Sequence, residues 1–531
     1  MADKPVPPST IPRDILDSNE AHPEHNFSSI REFISRGSAR RAFLDAKIAP
    51  LKAELEKLLE ERDSLDKEIR KHEGAVSPLR SMPPEILSLI FTFASPPHAF
   101  ANKTMNRYLM NMHEGPWVLS AVCSRWRSIV LAQPSLWAHI LLDFTDDPSD
   151  SSSMERIVPM VEAHLERSQQ LPLSITFRPF YETHCTETEQ SVLDLLAEDS
   201  YRWEKATISG SSEVYSTLNI RDDLPILHKL DLTVSSIFSE HVLEVPALFQ
   251  SCPALQEAFI NSGRYGGDLP VTVNLPFEQL LRYSASNPWT YHVRALHSAV
   301  NLVDCVLRLT GSQNVPTGSP VVLPYLRRLS TSTASVLGRL DTPLLRELYC
   351  CDHSATLHAY LKRLPELQRL FVGETTSATD IGCLLHAAPT VTNLFLYLPL
   401  PLTSDLFSLL EDPTTESNKT AAVPALRSLS LSLGPLDRSL GNPIDEDRLM
   451  RIVESRCEKG HLRSLNFYAT RFTPSPTTLE RIEVLGNKGM QIELFKRSNY
   501  LYGRMVPSVF QLFHDPYSFY EEFGSIFLDS E

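Results

Sequence analysis

The chain has 531 residues, 42% hydrophobic and 22% charged, with a formal net charge of −15 and 8 cysteines. Such a chain supports a large buried core, in several structural units or in one long repeat array. The acidic balance argues against duplex nucleic acid or an anionic membrane as the main partner. No apolar run approaches the ~18 residues that span a bilayer, and Met1 to Glu20 is polar and proline-rich, unlike a secretory signal.

Taken in order, residues 1–40 are rich in Pro, Ser and charge and are expected to be disordered. Over 41–73 a heptad pattern appears. Leu44, Ile48, Leu51, Leu55, Leu58, Leu65 and Ile69 occupy alternating d and a positions, interrupted by Arg62 at a and His72 at d. Charged residues fill the other positions. A weak dimeric coiled coil and a helix packed back on its own chain are both open, and Gly74 ends the helix.

Next comes Leu79-Arg-Ser-Met-Pro-Pro-Glu-Ile-Leu-Ser-Leu-Ile-Phe91. Its prolines suit a first helical turn, and Ile86, Ile90 and Phe93 make one apolar stripe. Leu119-Ser-Ala-Val-Cys-Ser-Arg-Trp-Arg-Ser-Ile-Val-Leu131 answers it, with Val118, Val122, Trp126 and Ile129 at helical spacing, and Pro134-Ser-Leu-Trp137 closes the segment. These features predict a helical hairpin over 78–141 with a long insertion from Ala94 to Pro116. The two halves and their proline-x-leucine-tryptophan end resemble the F-box-like domain of large fungal families, with Met82 where leucine is usual. A coiled coil just before the motif fits the same resemblance.

Residues 142–220 read as a polar linker followed by helix and strand units: a helix over 154–168, a strand over 172–177, a helix over 191–197 and a strand over 203–208. From Leu227 a pattern recurs: apolar, two variable, apolar, one variable, apolar. Its copies begin at 227, 255, 302, 345, 367, 391, 426 and 462, with weaker ones at Phe277 and Leu326. Spacings of 19 to 36 residues, mostly below 29, mark a leucine-rich-repeat solenoid over 221–497. Each unit would supply one strand and a returning helix, and stacking would supply the core. The asparagine or cysteine that usually follows such strands is absent, so the repeats are degenerate. The aromatic stretch over 498–531 is expected to cap the array. The fold class expected is therefore α plus α/β: a coiled-coil helix, an F-box helical hairpin and an irregular parallel solenoid.

No phosphate loop, zinc helix or nucleophile elbow is present, so no catalytic, cofactor-binding or metal residues are assigned and the chain is not expected to be an enzyme. The cysteines form no C-x-x-C pair and several lie in apolar segments, as expected of small buried hydrophobes in a reducing compartment. Cys350 and Cys351 with His353 and His358 read as packing rather than a metal site. His241, His297 and His386 read as structural. In each strand the variable residue between the last two apolar positions points to the concave face. Those residues are Asp231, Phe259, Val306, Ser330, Tyr349, Phe371, Phe395, Ser430 and Asn466. Tyr349, Phe371 and Phe395 come from consecutive repeats and should stack into a target-binding row, unless a loop or the tail covers them.

The F-box resemblance implies the substrate-receptor role in a Skp–cullin–F-box ubiquitin ligase, in the cytoplasm or nucleus, with a Skp-family adaptor, its cullin-RING ligase and a protein target as partners. Family positions that contact the adaptor match Pro83, Pro84, Glu85, Ile86, Leu87, Ile90, Val122, Trp126 and Trp137 here. Some of these must pack the hairpin instead. The competing reading is a ubiquitin-independent leucine-rich-repeat scaffold.

Overall fold

A computed structural model describes residues 24–95, 115–144, 151–181, 184–220, 223–235, 243–262, 269–310, 319–350, 354–373, 378–398, 410, 423–433, 445–459, 461–469 and 474–496. The expected aromatic cap over 498–531, most of the 94–116 insertion, His241, Cys351 and His353 lie outside them. The chain divides into two compact units, 1–87 and 88–531.

The first unit is dominated by helix α1, Glu24–Ala75, 52 residues long. It begins well inside the segment expected to lack order. Ile30 and Ile34 continue the heptad positions of Leu44 and Ile48, so the apolar pattern that favours a helix reaches further back than composition suggested. Leu44, Ile48, Leu51, Leu55, Leu58, Leu65 and Ile69 are all exposed. Pro50 lies inside the helix, where the missing donor and the ring favour a bend. A short turn, α2 (Pro78–Ser81), follows, and helix α3 (Pro84–Ala94) runs across the boundary between the units.

The second unit continues with α4 (Gly115–Val122) and α5 (Ser124–Leu131), and a 3-10 turn over Pro134–Leu136. Then a parallel sheet begins. Among the described residues it has 14 strands in sequence order: β1 His139–Asp143, β2 Leu173–Arg178, β3 Trp203–Ser211, β4 Lys229–Ser235, β5 Glu257–Ser262, β6 Arg282–Asn287, β7 Asp304–Leu309, β8 Arg328–Thr331, β9 Glu347–Cys350, β10 Arg369–Val372, β11 Asn393–Leu398, β12 Ser428–Leu433, β13 Ser464–Ala469 and β14 Gln491–Lys496. Parallel neighbours need a crossover. Helices α6 (Ser151–Arg167), α7 (Glu187–Glu198), α8 (Ser212–Thr217), α9 (Trp289–Ser298), α10 (Ala355–Leu361), α11 (Ala378–Ala387), α12 (Glu446–Glu458) and α13 (Pro476–Asn487) supply many of the crossovers. Short 3-10 turns serve elsewhere, such as Ala247–Phe249 and Ala334–Arg339. The sheet thus starts at His139, well before residue 221, and takes in the units expected over 142–220.

Strand alternation decides which side chains meet the core. Leu230, Ala258, Tyr283, Cys305, Leu329, Leu348, Leu370, Leu394, Leu429 and Leu465 form one buried row. With the residues two positions on and the inner faces of the helices they make one cluster from Ala138 to Met490. The repeat read as starting at Phe277 is shifted: its inward residues are Leu280, Tyr283 and Ala285. Tyrosine and alanine in place of leucines hid the phase. Side-chain polar groups substitute for backbone bonds where the crossovers are irregular. Buried Asn287 accepts from Val271 N at 2.7 Å and donates to Val271 O at 2.9 Å. Buried Glu189 accepts from Phe180 N and Thr186 N, each at 2.7 Å, closing a capping box on α7. Gly210 allows α8 to approach, since a Cβ there would meet Val214 at 2.8 Å.

Candidate functional site

Helix α3 is apolar on two faces. Leu87 and Phe91, at i and i+4, are buried. The Phe91 ring lies 4.7 Å from the Trp126 ring of α5. Ser88 donates to Gln133 Oε1, and Gln133 Nε2 donates to Thr92 Oγ1 at 2.8 Å. These polar contacts fix the rotation of the helix. They turn Ile86, Leu89, Ile90 and Phe93 outward, with Phe93 82% exposed. The apolar stripe of Ile86, Ile90 and Phe93 is therefore the solvent face. On α4, Val118 and Val122 are also exposed, at 40% and 56%.

The end of this segment is tied down by a ring cluster. Trp137 is buried, and its Nε1 donates to Val130 O at 3.0 Å. Trp117 stands edge-on to Trp137 at 5.2 Å, and the Arg167 guanidinium lies over both rings at 4.9 and 4.5 Å. Trp117 Nε1 donates to His164 Nε2 at 3.0 Å, and His164 Nδ1 donates to Trp137 O at 3.1 Å. An indole N–H can only donate and a carbonyl can only accept, so His164 is the neutral Nδ1–H tautomer. Burial pushes its pKa down to about 4.

Of the residues matched to an adaptor surface, Pro83, Pro84, Glu85, Ile86, Ile90 and Val122 are exposed, and Trp126 is partly covered by Phe91. Leu87 and Trp137 are fully buried, so they offer no surface to a partner. Leu89 and Phe93 were missed. The signal was there: 86, 89, 90 and 93 follow the i, i+3, i+4, i+7 rule.

The second candidate is the sheet face on the other side from the leucine row, although Ser284, Val306, Ser330, Phe371, Ser430 and Asn466 on it are buried. All nine residues expected there lie on one register row: Asp231↔Phe259↔Ser284↔Val306↔Ser330↔Tyr349↔Phe371↔Phe395↔Ser430↔Asn466. Tyr349 stacks on Phe371 with centroids 6.0 Å apart, and Phe371 on Phe395 at 4.4 Å. Phe371 is only 4% exposed, between two half-buried neighbours. The row is thus a packed stack that presents Tyr349 and Phe395 more than its centre. Burial, then nearby Glu347, raises the Tyr349 pKa, so the phenol stays neutral.

Two positions earlier in each strand runs a second row, unmarked at the sequence level: Lys229↔Glu257↔Arg282↔Asp304↔Arg328↔Glu347↔Arg369. Its charges alternate throughout. Arg282 reaches Glu257 at 2.8 Å and Asp304 at 3.1 Å, Arg328 reaches Asp304 at 2.5 Å, and Arg369 reaches Glu347 at 3.3 Å. Opposite charges facing across strands favour this register. The alternation was readable at the residue before each middle apolar position, but only once the repeats were aligned.

A shallow open cleft of about 560 Å³ lies among Leu281, Val303, Tyr325, Arg327 and Leu344, with no buried charged group facing it. Cys252, Cys305 and Cys350 are buried, and burial pushes the Cys252 thiol up to about 12. His386 and His297 are exposed, and His386 Nδ1 donates to Gly382 O within its own helix. Among the described residues no group of three or more His, Cys, Asp or Glu could hold a metal, and no helix is long and apolar enough to cross a membrane. No protein-family model matches the chain, and a search of curated proteins returns no match.

Proposed function

We propose that this chain is the substrate-receptor subunit of a Skp–cullin–F-box-type ubiquitin ligase in the cytoplasm or nucleus. In this reading α3 to α5 are an F-box-like adaptor-binding segment, and the sheet with its helices is an irregular leucine-rich-repeat solenoid that holds a protein target. The chain performs no chemistry of its own; it contributes proximity between a target and the ubiquitin-loaded enzyme. The observation that carries the reading is the outer face of α3. Ile86, Leu89, Ile90 and Phe93 are exposed on a helix already docked by its other face, and they lie within the residues that resemble the F-box. An exposed apolar helix face of this kind calls for a partner. The adaptor-binding set becomes Pro83, Pro84, Glu85, Ile86, Leu89, Ile90, Phe93 and Val122, with Trp126 in support. Target contacts fall on Tyr349 and Phe395, braced by Phe371.

Co-expression of the full chain with a Skp-family adaptor tests this by size exclusion. A stoichiometric complex is expected, lost in Ile86→Asp and in Ile90→Asp while both variants keep the parent's thermal unfolding. A carboxylate forced into an apolar interface should weaken binding by about 100-fold. Absence of a complex with the parent chain would leave the ubiquitin-independent scaffold.

A further inference from the structure

Helix α1 holds a row of exposed apolar residues: Leu51 is 64% exposed, Leu58 56% and Leu65 60%. We propose that α1 pairs with α1 of a second copy as an antiparallel coiled coil, with residue n of one helix facing residue 99 − n of the other. This goes beyond the receptor reading and does not depend on it.

The choice of occupant rests on the charges beside the heptad. In a parallel, in-register pair each core residue meets its own copy, so Arg41 would face Arg41, Arg62 face Arg62 and His72 face His72. The flanking pairs would set Lys47 against Lys52, Glu61 against Asp66 and Glu68 against Glu73, with Arg40 against Asp45 the one pair of opposite sign. Flanking charges decide coiled-coil orientation, and these oppose a parallel pair.

The antiparallel register removes every one of those conflicts. Ile48 meets Leu51 of the second copy, Leu44 meets Leu55, Ile34 meets Leu65 and Ile30 meets Ile69. Arg41 lies against Leu58, and Arg62 passes over Gly37. On the flanks Lys47 meets Glu54, Asp45 meets Lys52, Arg40 meets Glu61 and Arg31 meets Asp66, four pairs of opposite sign each occurring twice by symmetry, against one like pair, Glu24 with Glu73, at the helix ends. Arg40 and Lys47 already lie along that flank, 5.2 and 4.6 Å from the Phe43 ring between them. The same register overlaps the helix over its full length, because Glu24 and Ala75 are its ends. It also brings Pro50 of both helices to the level of the two-fold axis, on the outer side.

Sedimentation of the purified full chain at micromolar concentration tests the proposal. A dimer of twice 59.8 kDa is expected, reduced to monomer by Leu51→Glu with Leu55→Glu. Lys47→Glu separates the orientations because its sign differs. In the antiparallel pair it sets Glu against Glu54 and should weaken dimerisation about tenfold, and Lys47→Glu with Glu54→Lys should restore it. In a parallel pair the same change would relieve the Lys47–Lys52 repulsion and tighten the dimer. A monomeric parent, a dimer indifferent to the Leu51/Leu55 change, or a Lys47→Glu dimer that is unchanged, tighter or not restored would overturn the proposal.

Discussion

His164 is held between a donor and an acceptor that leave it one tautomer, and that constraint reaches stability. An unfolded histidine titrates near 6.5, whereas burial depresses the folded value to about 4 for both His164 and His292. Between those values the unfolded chain binds more protons, so stability falls as pH drops from about 6.5 towards 4. Each histidine contributes at most about 3 kcal/mol to that loss. The melting temperature should fall between pH 7 and pH 5, and in His164→Phe, a less stable variant at neutral pH, the fall should be clearly smaller. An equal fall would remove His164 from the account. Sequence reading assigned lone histidines to structural roles but did not single out His164. Its partners Trp117 and Trp137 are 47 and 27 residues away, and only the folded chain brings them to the ring.

Individual elements divide by how local their signals are. Strand positions were legible because alternation and repeat phase are properties of short stretches, and the row from Asp231 to Asn466 follows from them directly. Helix α3 was legible as a helix but not in its orientation. Both of its faces are apolar, and the choice between them depends on Gln133, more than 40 residues on, bonding Ser88 and Thr92. Two substitutions two residues apart should therefore behave oppositely. Phe91→Ala removes a buried ring packed on Trp126 and should cost about 3–5 kcal/mol in urea unfolding. Phe93→Asp sits on the outer face and should stay within about 0.5 kcal/mol of the parent. Equal effects would contradict the division of the helix into a buried and an outer face.

Across the whole chain, the sheet is held by two kinds of term. Buried apolar rows supply the non-directional part, and the alternating ladder from Lys229 to Arg369 adds a directional one. Asp304 is its most enclosed member, 2% exposed between Arg282 and Arg328. Asp304→Asn should destabilise the sheet by about 1–3 kcal/mol, more than the loss of an exposed ion pair, read by urea unfolding against Glu366→Gln at the exposed pair with Arg346. An equal, negligible loss would make the ladder ornamental to stability. The succession of strands was visible from spacing. The ladder was not, because it exists only after the strands are placed in register. The start of the sheet at His139 was missed for a related reason: β1 to β3 are joined by longer helical crossovers that do not share the later period.

The receptor reading stands or falls on the outer face of α3, and a calorimetric titration of purified full chain with a purified Skp-family adaptor measures it directly. Saturable binding at one adaptor per chain is expected, with Phe93→Asp weakening it about 100-fold and Tyr349→Ala leaving it unchanged. No binding by the parent chain, or equal affinity in Phe93→Asp, would contradict it.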